Sequence, residues 1–327
     1  MRDFSVEAVE YASAVADLHA VREAVFVREQ GVPPELERDR ADAAALHVLA
    51  RDAAGIPIGA ARLVPPFVAV GSRDAADPEA AMTSLDPAFL DLAPRIGRMA
   101  VLPAWRGRGV GEAMLEALTG LARERGWLEL SLNAQASAIA FYSRLGYLPS
   151  GARFMEAGIE HQPMRRKLDG ASAITTRDAA VAIVTAVAHR AHRRLCIYTR
   201  ALDPGLFDAT EVLEALRSLA TRGGGIEVRI LLQDAATPQR AHAPLLGLAQ
   251  RLPSVVLLRE VDDPVDRAYA SAFVANDAGG YYFRGLGHRF DGEADLDAPG
   301  RARQLREEFG RVWERARPCS ELRALGL

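Results

Sequence analysis

The pattern of apolar and polar residues changes from a strand-like run to a helical period between residues 96 and 127. Residues 96–102 are mostly apolar and are followed by Pro103, which predicts a buried strand. Apolar residues then recur at the spacing of one helix face at Val110, Met114, Leu115, Leu118 and Leu121. Between strand and helix lies RGRGVG, residues 106–111, with three glycines and two arginines. A strand, a glycine-rich turn and a helix are therefore predicted in this order.

The rest of the first half follows an α/β order. Strands are predicted at residues 4–9, 46–51, 56–64, 96–102, 128–132, 152–156 and 162–168, and helices at 14–30, 109–125 and 137–145. Residues 65–94 form a long connection, of a length that is usually functional or mobile. Residues 35–42 form an acidic segment that arginines interrupt.

The second half restarts with a new α/β alternation after residues 169–175, which are predicted to be a linker. Helices are predicted at residues 177–193, 210–222, 244–252 and 302–315, strands at 195–199, 226–233 and 255–260, and a hairpin at 270–274 and 280–283. Alternation of this kind is typical of a sheet with helices on its faces. We expect one domain over residues 1–168 and a second over 176–327.

Composition agrees with two globular domains and excludes several classes of function. The chain has 327 residues and 49% hydrophobic residues, but no run long enough to cross a membrane and no signal-peptide core, so we expect a cytoplasmic protein. Two scattered cysteines do not form a disulfide framework or a metal site. The net charge of −3 gives no reason to expect nucleic acid. Lys167 is the single lysine, so chemistry that needs lysine elsewhere is excluded.

The glycine-rich turn predicts a phosphate-binding loop. Glycine lets the backbone approach a ligand closely, and the helix that follows presents unpaired N–H groups and the positive end of its dipole. The loop lacks the GK[ST] of nucleotide hydrolases and the spacing of the dinucleotide fold. What remains is Arg106-x-x-Gly109-x-Gly111. A turn with solvent-facing arginines is the alternative.

This strand, turn and helix resemble the acetyl-CoA motif of the GNAT N-acetyltransferases. Four further blocks resemble the ElaA-like branch of that family: residues 21–39, His47, residues 132–147 and residues 154–164. The chain departs from the branch at Glu160, where proline is expected before the histidine. The resemblance implies the GNAT fold, an α/β fold with a mixed sheet, over residues 1–168, with acetyl-CoA as cosubstrate.

The resemblance also implies the residues of the site. The coenzyme A site is expected to comprise Met99, Ala100, Val101, Arg106, Gly107, Arg108, Gly109, Val110, Gly111, Asn133 and Tyr142. The backbone N–H near Val101 is expected to bind the oxyanion and Tyr142 to protonate the leaving thiolate. The alternative for Tyr142 is packing against Phe141 and Tyr147.

The general base is left open among three residues. Glu29, Glu156 and His161 match the pattern of the branch, and a histidine or a carboxylate acting through water can accept the amine's proton. The alternatives are a solvated helix-end carboxylate for Glu29 and a structural strand histidine for His161. His47 is expected to be structural.

The predicted reaction moves acetyl from acetyl-CoA to a primary amine of a small molecule or peptide. The acidic segment at residues 35–42 either attracts a cationic amine or is a solvated loop. The alternative function is a non-catalytic acyl-CoA sensor whose second domain binds a partner or nucleic acid.

The second domain resembles one half of the phospholipase D fold weakly. That chemistry depends on a His-x-Lys-x(4)-Asp motif, and alignment on Asp277 places Ala270 and Ala272 at the histidine and lysine positions. The resemblance therefore implies a domain without that catalysis, acting in binding, regulation or formation of a homodimer.

Overall fold

The computed structural model describes residues 3–66, 93–240 and 243–319. Contacts divide the chain into two compact units, Met1–Ala136 with Ser150–Asp169, and Ser137–Pro149 with Gly170–Leu327. Residues 137–149 thus group with the second half of the chain, although they precede residue 168. Most of the long connection at 65–94 lies outside the described residues.

The first 169 residues contain eight strands and four α-helices among those described. These are β1 Phe4–Val9, α1 Tyr11–Arg22, α2 Pro34–Glu37, β2 Leu46–Asp52, β3 Pro57–Val64, β4 Arg95–Val101, α3 Val110–Glu124, β5 Glu129–Gln135, α4 Ile139–Arg144, β6 Leu148–Pro149, β7 Phe154–Glu156 and β8 Ile159–Lys167. A π-helix at Glu23–Glu29 continues α1, and short 3₁₀ turns lie at Arg40–Ala44 and Pro103–Trp105. The predicted helix at 14–30 therefore begins earlier and changes its hydrogen-bond period after Arg22.

The sheet of the first unit has the strand order β1-β2-β3-β4-β5-β8, and β7 pairs with β8. Its pairs are antiparallel except β4 with β5, which is parallel. Helix α1 and the π-helix bury Leu18, Val21 and Val25 against the sheet. The mixed sheet expected from the sequence is confirmed.

Helix α3 lies close to β3 at Gly59. A Cβ atom at Gly59 would lie 3.1 Å from both Met114 Sδ and Val110 Cγ1. These distances are tighter than most Cβ contacts, so a side chain at residue 59 would require the Met114 and Val110 side chains to move by a few tenths of an ångström. The contact fixes the first turn of α3, and with it the preceding glycine-rich loop, against the sheet.

The second half has eight further strands and six further α-helices in its described part. These are β9 Ser172–Ile174, α5 Arg177–Arg190, β10 Arg194–Thr199, α6 Thr210–Thr221, β11 Glu227–Leu232, α7 Ala236–Arg240, α8 Pro244–Arg251, β12 Val256–Glu260, α9 Pro264–Arg267, β13 Ala272–Asn276, β14 Tyr281–Arg284, β15 Gly292–Asp295, α10 Pro299–Arg315 and β16 Arg317–Pro318.

The sheet of the second unit has the order β16-β12-β11-β10-β13-β14-β15-β9. Strands β10, β11 and β12 are parallel and the other pairs are antiparallel. Alternate residues of β10 face opposite cores: Leu195 and Ile197 pack with α5, α6 and α8, whereas Cys196 and Tyr198 pack with α10. The predicted α/β alternation is confirmed, with helices on both faces of a mixed sheet.

Candidate active site

The glycine-rich loop has backbone angles that favour glycine. Gly107 has φ 72° and Gly109 has φ 84°, both in the left-handed region, and α3 begins directly afterwards at Val110. A Cβ atom at either glycine would meet no described atom within 4 Å. The loop therefore presents open backbone at the N-terminus of a 15-residue helix, which is the geometry that binds phosphate groups.

Arg106 is held by protein groups. Its Nη1 and Nη2 donate to the two carboxylate oxygens of Glu29 at 2.7 and 2.6 Å, and its Nε donates to the carbonyl of Val101 at 3.0 Å. These hydrogen bonds connect the end of the π-helix, the end of β4 and the glycine-rich loop. Arg106 thus aligns three parts of the predicted site.

Glu29 is an exposed carboxylate that is ion-paired with Arg106. The hydrogen bond from Arg106 lowers the pKa of Glu29 below its ordinary value. A lower pKa keeps the carboxylate ionised and makes it a weaker direct proton acceptor. Its role as the general base stays a prediction.

Strands β4 and β5 separate after a short paired segment. They pair at Arg95 with Ser131 and at Ile96 with Leu132. On the other side of β4, the register with β3 shifts between Ala60 and Arg62, so that two residues of β4 lie opposite one of β3. This β-bulge contains Arg98, whose φ is 51°. The strand end with Met99, Ala100 and Val101 therefore diverges from β5, and Asn133 is the first β5 residue beyond the pairing.

The last hairpin places His161 opposite the end of β5. His161 pairs in register with Gln135, whose side chain donates to Gln30 at 2.9 Å. Because Gln30 follows Glu29, the two candidate bases Glu29 and His161 flank this pair of glutamines.

The His161 ring has contacts that a structural histidine would have. Its Nδ1 lies 2.9 Å from the Ile159 carbonyl, and it stacks on Phe154 with ring centroids 5.7 Å apart. Glu156, the third candidate base, is exposed and lies opposite Ile159 at the hairpin end. Neither observation selects one residue as the base.

Tyr142 lies on α4, in the second compact unit. Its ring packs edge-on against Phe141 and Tyr147, with centroids 5.0 and 5.9 Å away, so the contacts of the packing alternative are present. Burial raises the pKa of Tyr142 well above its ordinary value. The phenol stays protonated at neutral pH, but the raised pKa makes it a weaker proton donor, and its role as the acid stays a prediction.

The acidic segment is only partly solvated, because two of its carboxylates are buried, and sequence reasoning missed their partners. Glu37 and Asp42 are buried, and both bind Arg22, with Asp42 accepting at 2.8 and 3.0 Å. Asp42 also accepts from Arg62 at 2.6 Å. The carboxylates are thus engaged within the protein, which weakens the expectation that their field attracts an amine.

Asp39 extends this cluster to the β4 bulge. It accepts from Arg62 at 2.7 and 2.5 Å and from Arg98 at 3.0 Å. We define the arginine network by its six members, Arg22, Glu37, Asp39, Asp42, Arg62 and Arg98. Three positive and three negative charges balance within it.

We predict that Asp42 makes stability of the first unit fall in acid. Burial alone would raise the pKa of Asp42, but hydrogen bonds from Arg22 and Arg62 lower it to about 2. The folded-state pKa lies below the unfolded value of about 3.9, so the stabilisation is complete above pH ~4 and is lost as the pH falls toward 2. The free energy of unfolding is expected to fall by about 2 kcal/mol, which denaturant titrations at a series of pH values measure. In Asp42→Asn the free energy of unfolding should no longer fall between pH ~4 and ~2 by this amount. An unchanged pH dependence would contradict the role of Asp42.

His47 is structural, as the sequence predicted. It is buried, its Nε2 lies 2.8 Å from the Asp42 carbonyl, and its ring stacks on Tyr11 with centroids 5.0 Å apart. Burial lowers the pKa of His47. The ring therefore supports the 3₁₀ turn that carries Asp42.

Family models match both halves of the chain. Two models described as acetyltransferase (GNAT) domain match residues 21–116 and 87–168. A third, described as a domain of unknown function (DUF7931), matches residues 176–325.

Two proteins of Bacillus subtilis are similar to the first half. The uncharacterized N-acetyltransferase YjcF is 32% identical over 151 residues, which span 46% of this chain and 90% of that protein. A second protein, named as an acetyltransferase, is 29% identical over 161 residues, 47% of this chain and 92% of its own length.

Two solved structures each align with half of the chain. Escherichia coli ElaA is 24% identical with a TM-score of 0.38, covering 50% of this chain and 99% of its own. An acyl-CoA N-acyltransferase from Pseudomonas aeruginosa is 26% identical with a TM-score of 0.38 and the same coverage.

The matching family models define an acyltransferase in the first half of the chain, and the glycine-rich loop beside the diverging strands is its candidate cosubstrate site. The chain belongs to the GNAT acetyltransferases through its first half. The expected family is thus confirmed.

Among the described residues, no helix is long and apolar enough to cross a membrane.

Proposed function

We propose that the protein transfers an acetyl group from acetyl-CoA to a primary amine of a small molecule or peptide. The observation that carries the proposal is the opening between β4 and β5 at the strand end that Arg106 joins to the glycine-rich loop. The loop would hold the pyrophosphate of coenzyme A through Gly107, Gly109 and the N–H groups that begin α3. The thioester would then lie along Met99, Ala100 and Val101.

The transfer proceeds by direct attack of the amine on the thioester. The amine, with an ordinary pKa of about 10.4, first gives up a proton to the base. Its nitrogen then forms a bond to the acetyl carbon, and the Val101 N–H stabilises the oxyanion. The carbon–sulfur bond breaks, and Tyr142 gives a proton to the leaving thiolate. The nitrogen, which became positively charged on attack, releases its extra proton to form the neutral amide, and this proton returns through solvent to Tyr142. Glu29, Glu156 and His161 remain the candidates for the base, and the lowered pKa of Glu29 makes it a weaker acceptor than an ordinary carboxylate.

An acceptor screen tests this function against the sensor alternative. Purified protein is incubated with acetyl-CoA and a panel of polyamines, amino acids, amino sugars and peptides, and thiol release and acetylated product are measured. Transfer to one class of amine supports the proposal. Tight acetyl-CoA binding without transfer to any amine would instead favour a sensor.

We predict that Tyr142→Phe lowers kcat about 100-fold and leaves coenzyme A binding nearly unchanged, because a general acid contributes to the rate rather than to binding. Single-turnover acetyl transfer and calorimetric titration with coenzyme A measure the two effects. Tyr147→Phe removes a hydroxyl from the adjacent ring and serves as the control. A larger loss of binding than of rate in Tyr142→Phe would remove Tyr142 as the acid.

We also propose that the second unit is a phospholipase D-like half without phosphodiesterase activity. Ala272, at the lysine position, is fully buried, and a Cβ atom at Gly287 would lie 3.1 Å from its Cβ. The Gly287 N–H also donates to the carbonyl of Ala270, at the histidine position, at 2.7 Å. A loop therefore packs over both positions.

Asp277, the aspartate of the aligned motif, has a structural role in this unit. Its carboxylate accepts from the backbone N–H groups of His192 and Arg193 at 2.8 Å each. A binding, regulatory or dimerisation role for the unit fits these contacts. Light scattering on the full chain tests whether it forms dimers.

A further inference from the structure

The β4 bulge is held from outside the active-site opening by a single side chain. Arg98 donates from Nε to the Glu37 carbonyl at 2.7 Å and from Nη2 to the Leu36 carbonyl at 2.7 Å and to Asp39 at 3.0 Å. All three acceptors belong to the acidic segment. The guanidinium therefore ties the bulge of β4 to a segment about 60 residues earlier in the chain.

The backbone of Arg98 is in a conformation that non-glycine residues rarely adopt. Its φ of 51° persists only when the surroundings fix it, and the three hydrogen bonds of its side chain supply such a restraint. The residue after it, Met99, begins the strand end that is expected to bind the thioester. The direction of the Met99, Ala100 and Val101 N–H groups thus depends on how the bulge is held.

The anchor of Arg98 is itself fixed. Asp39 binds Arg62 of β3, and Arg62 also binds Asp42. Asp42 in turn binds Arg22 of α1. Arg22 binds Glu37, whose backbone carbonyl accepts the hydrogen bond from Arg98. The arginine network is therefore closed, and it includes residues from α1, α2, β3 and β4.

We propose that Arg98 is a positioning residue for acyl transfer, which acts by holding the β4 bulge through the acidic segment. The inference rests on the proposed function, because it concerns the same strand end. It assigns a role to the acidic segment other than attraction of a cationic amine. The hydrogen bonds of the Arg98 side chain go to the acidic segment and not to the glycine-rich loop that is proposed to hold the pyrophosphate, so we expect its loss to lower turnover much more than coenzyme A affinity.

Arg98→Asn tests the role, because asparagine tolerates a positive φ but is too short to replace the guanidinium. We expect kcat to fall about 100-fold, as for a small misplacement of reacting groups, while the Kd of coenzyme A changes far less. Arg98→Lys should recover part of kcat, since an ammonium keeps the charge but not the planar fork. Arg51→Lys is the matched control, because Arg51 of β2 also donates to two carboxylates and a carbonyl.

Hydrogen exchange followed by mass spectrometry gives a readout that does not need an acceptor. Amides 97–101 should exchange faster in Arg98→Asn, while those of α3 stay as in the wild type. Unchanged kcat and exchange in Arg98→Asn would overturn the inference, and so would a parallel loss of kcat and coenzyme A affinity. If the wild type acetylates no amine, the proposed function fails, whereas the exchange experiment still decides whether Arg98 holds the bulge.

Discussion

Replacing Gly109 with aspartate is expected to weaken coenzyme A binding about 1,000-fold. The new carboxylate would lie at the N-terminus of α3, where the glycine-rich loop is proposed to bind the pyrophosphate. One pair of like charges about 4 Å apart repels by about 1 kcal/mol at an effective dielectric constant of about 80 and by about 4 kcal/mol at about 20. A loss of about 4 kcal/mol in binding free energy corresponds to a roughly 1,000-fold higher Kd. Calorimetric titration with coenzyme A and with acetyl-CoA measures the effect.

The aspartate itself should not unfold the loop. Gly109 has open space around its Cβ position and is the N-cap residue of α3. A side chain at this positive φ is strained, but aspartate and asparagine adopt it more readily than other residues, and the strain is nearly the same in the two variants. Gly109→Asn therefore has nearly the same shape without the charge, and we expect it to bind coenzyme A far better. Equal affinities of the aspartate and asparagine variants would contradict a phosphate group at this position.

Gly120→Ala controls for changes in α3 as a whole. Gly120 lies in the same helix, in ordinary helical conformation and with open space at its Cβ position. Alanine there should stabilise the helix by up to about 1 kcal/mol and leave coenzyme A binding unchanged.

The glycine-rich loop could be predicted because its evidence is local. A short apolar run, three glycines and a helical period lie within 32 residues, and each fixes one backbone feature on its own. The structure places the helix start at Val110, one residue from the expected position. The divergence of β4 and β5 is different, because no local pattern in the sequence marks it.

The bulge at Arg98 could not be predicted from the pattern of β4. The stretch from Arg95 to Val101 fits a strand throughout, and an extra residue in one strand becomes visible only against the register of its partner. The change from α-helix to π-helix after Arg22 is hidden for a similar reason. Apolar positions at Val21 and Val25 fit a helix of either hydrogen-bond period.

The arginine network could not be predicted from the sequence because its paired residues are far apart along the chain. Arg22 and Asp42 are 20 residues apart, and Arg98 and Asp39 are 59 apart. A run of alternating charges is usually a solvated surface, and only the fold shows that Glu37 and Asp42 are buried. The sequence contained one usable signal, which is that every basic residue except Lys167 and the histidines is arginine, the side chain best suited to buried ion pairs.

Replacing Arg22 with methionine is expected to destabilise the first unit by about 3–5 kcal/mol. Arg22 is 1% exposed, and its loss would leave the carboxylates of Glu37 and Asp42 buried with fewer partners. Removing one member of a buried ion pair has this cost because the remaining charge is no longer compensated. Methionine keeps most of the volume, so the loss reports charge rather than a cavity.

Arg51→Met is the matched control for this substitution. Arg51 forms ion pairs with Glu7 and Asp17 at the surface, and exposed pairs contribute about 0–1 kcal/mol. Denaturant unfolding is followed by tryptophan fluorescence, in which Trp105 and Trp127 report on the first unit and Trp313 on the second. Only the first-unit transition should move in Arg22→Met. Equal losses of unfolding free energy in Arg22→Met and Arg51→Met would show that the buried arginine network stabilises the first unit no more than a surface ion pair does. The network could then not hold the acidic segment that binds Arg98.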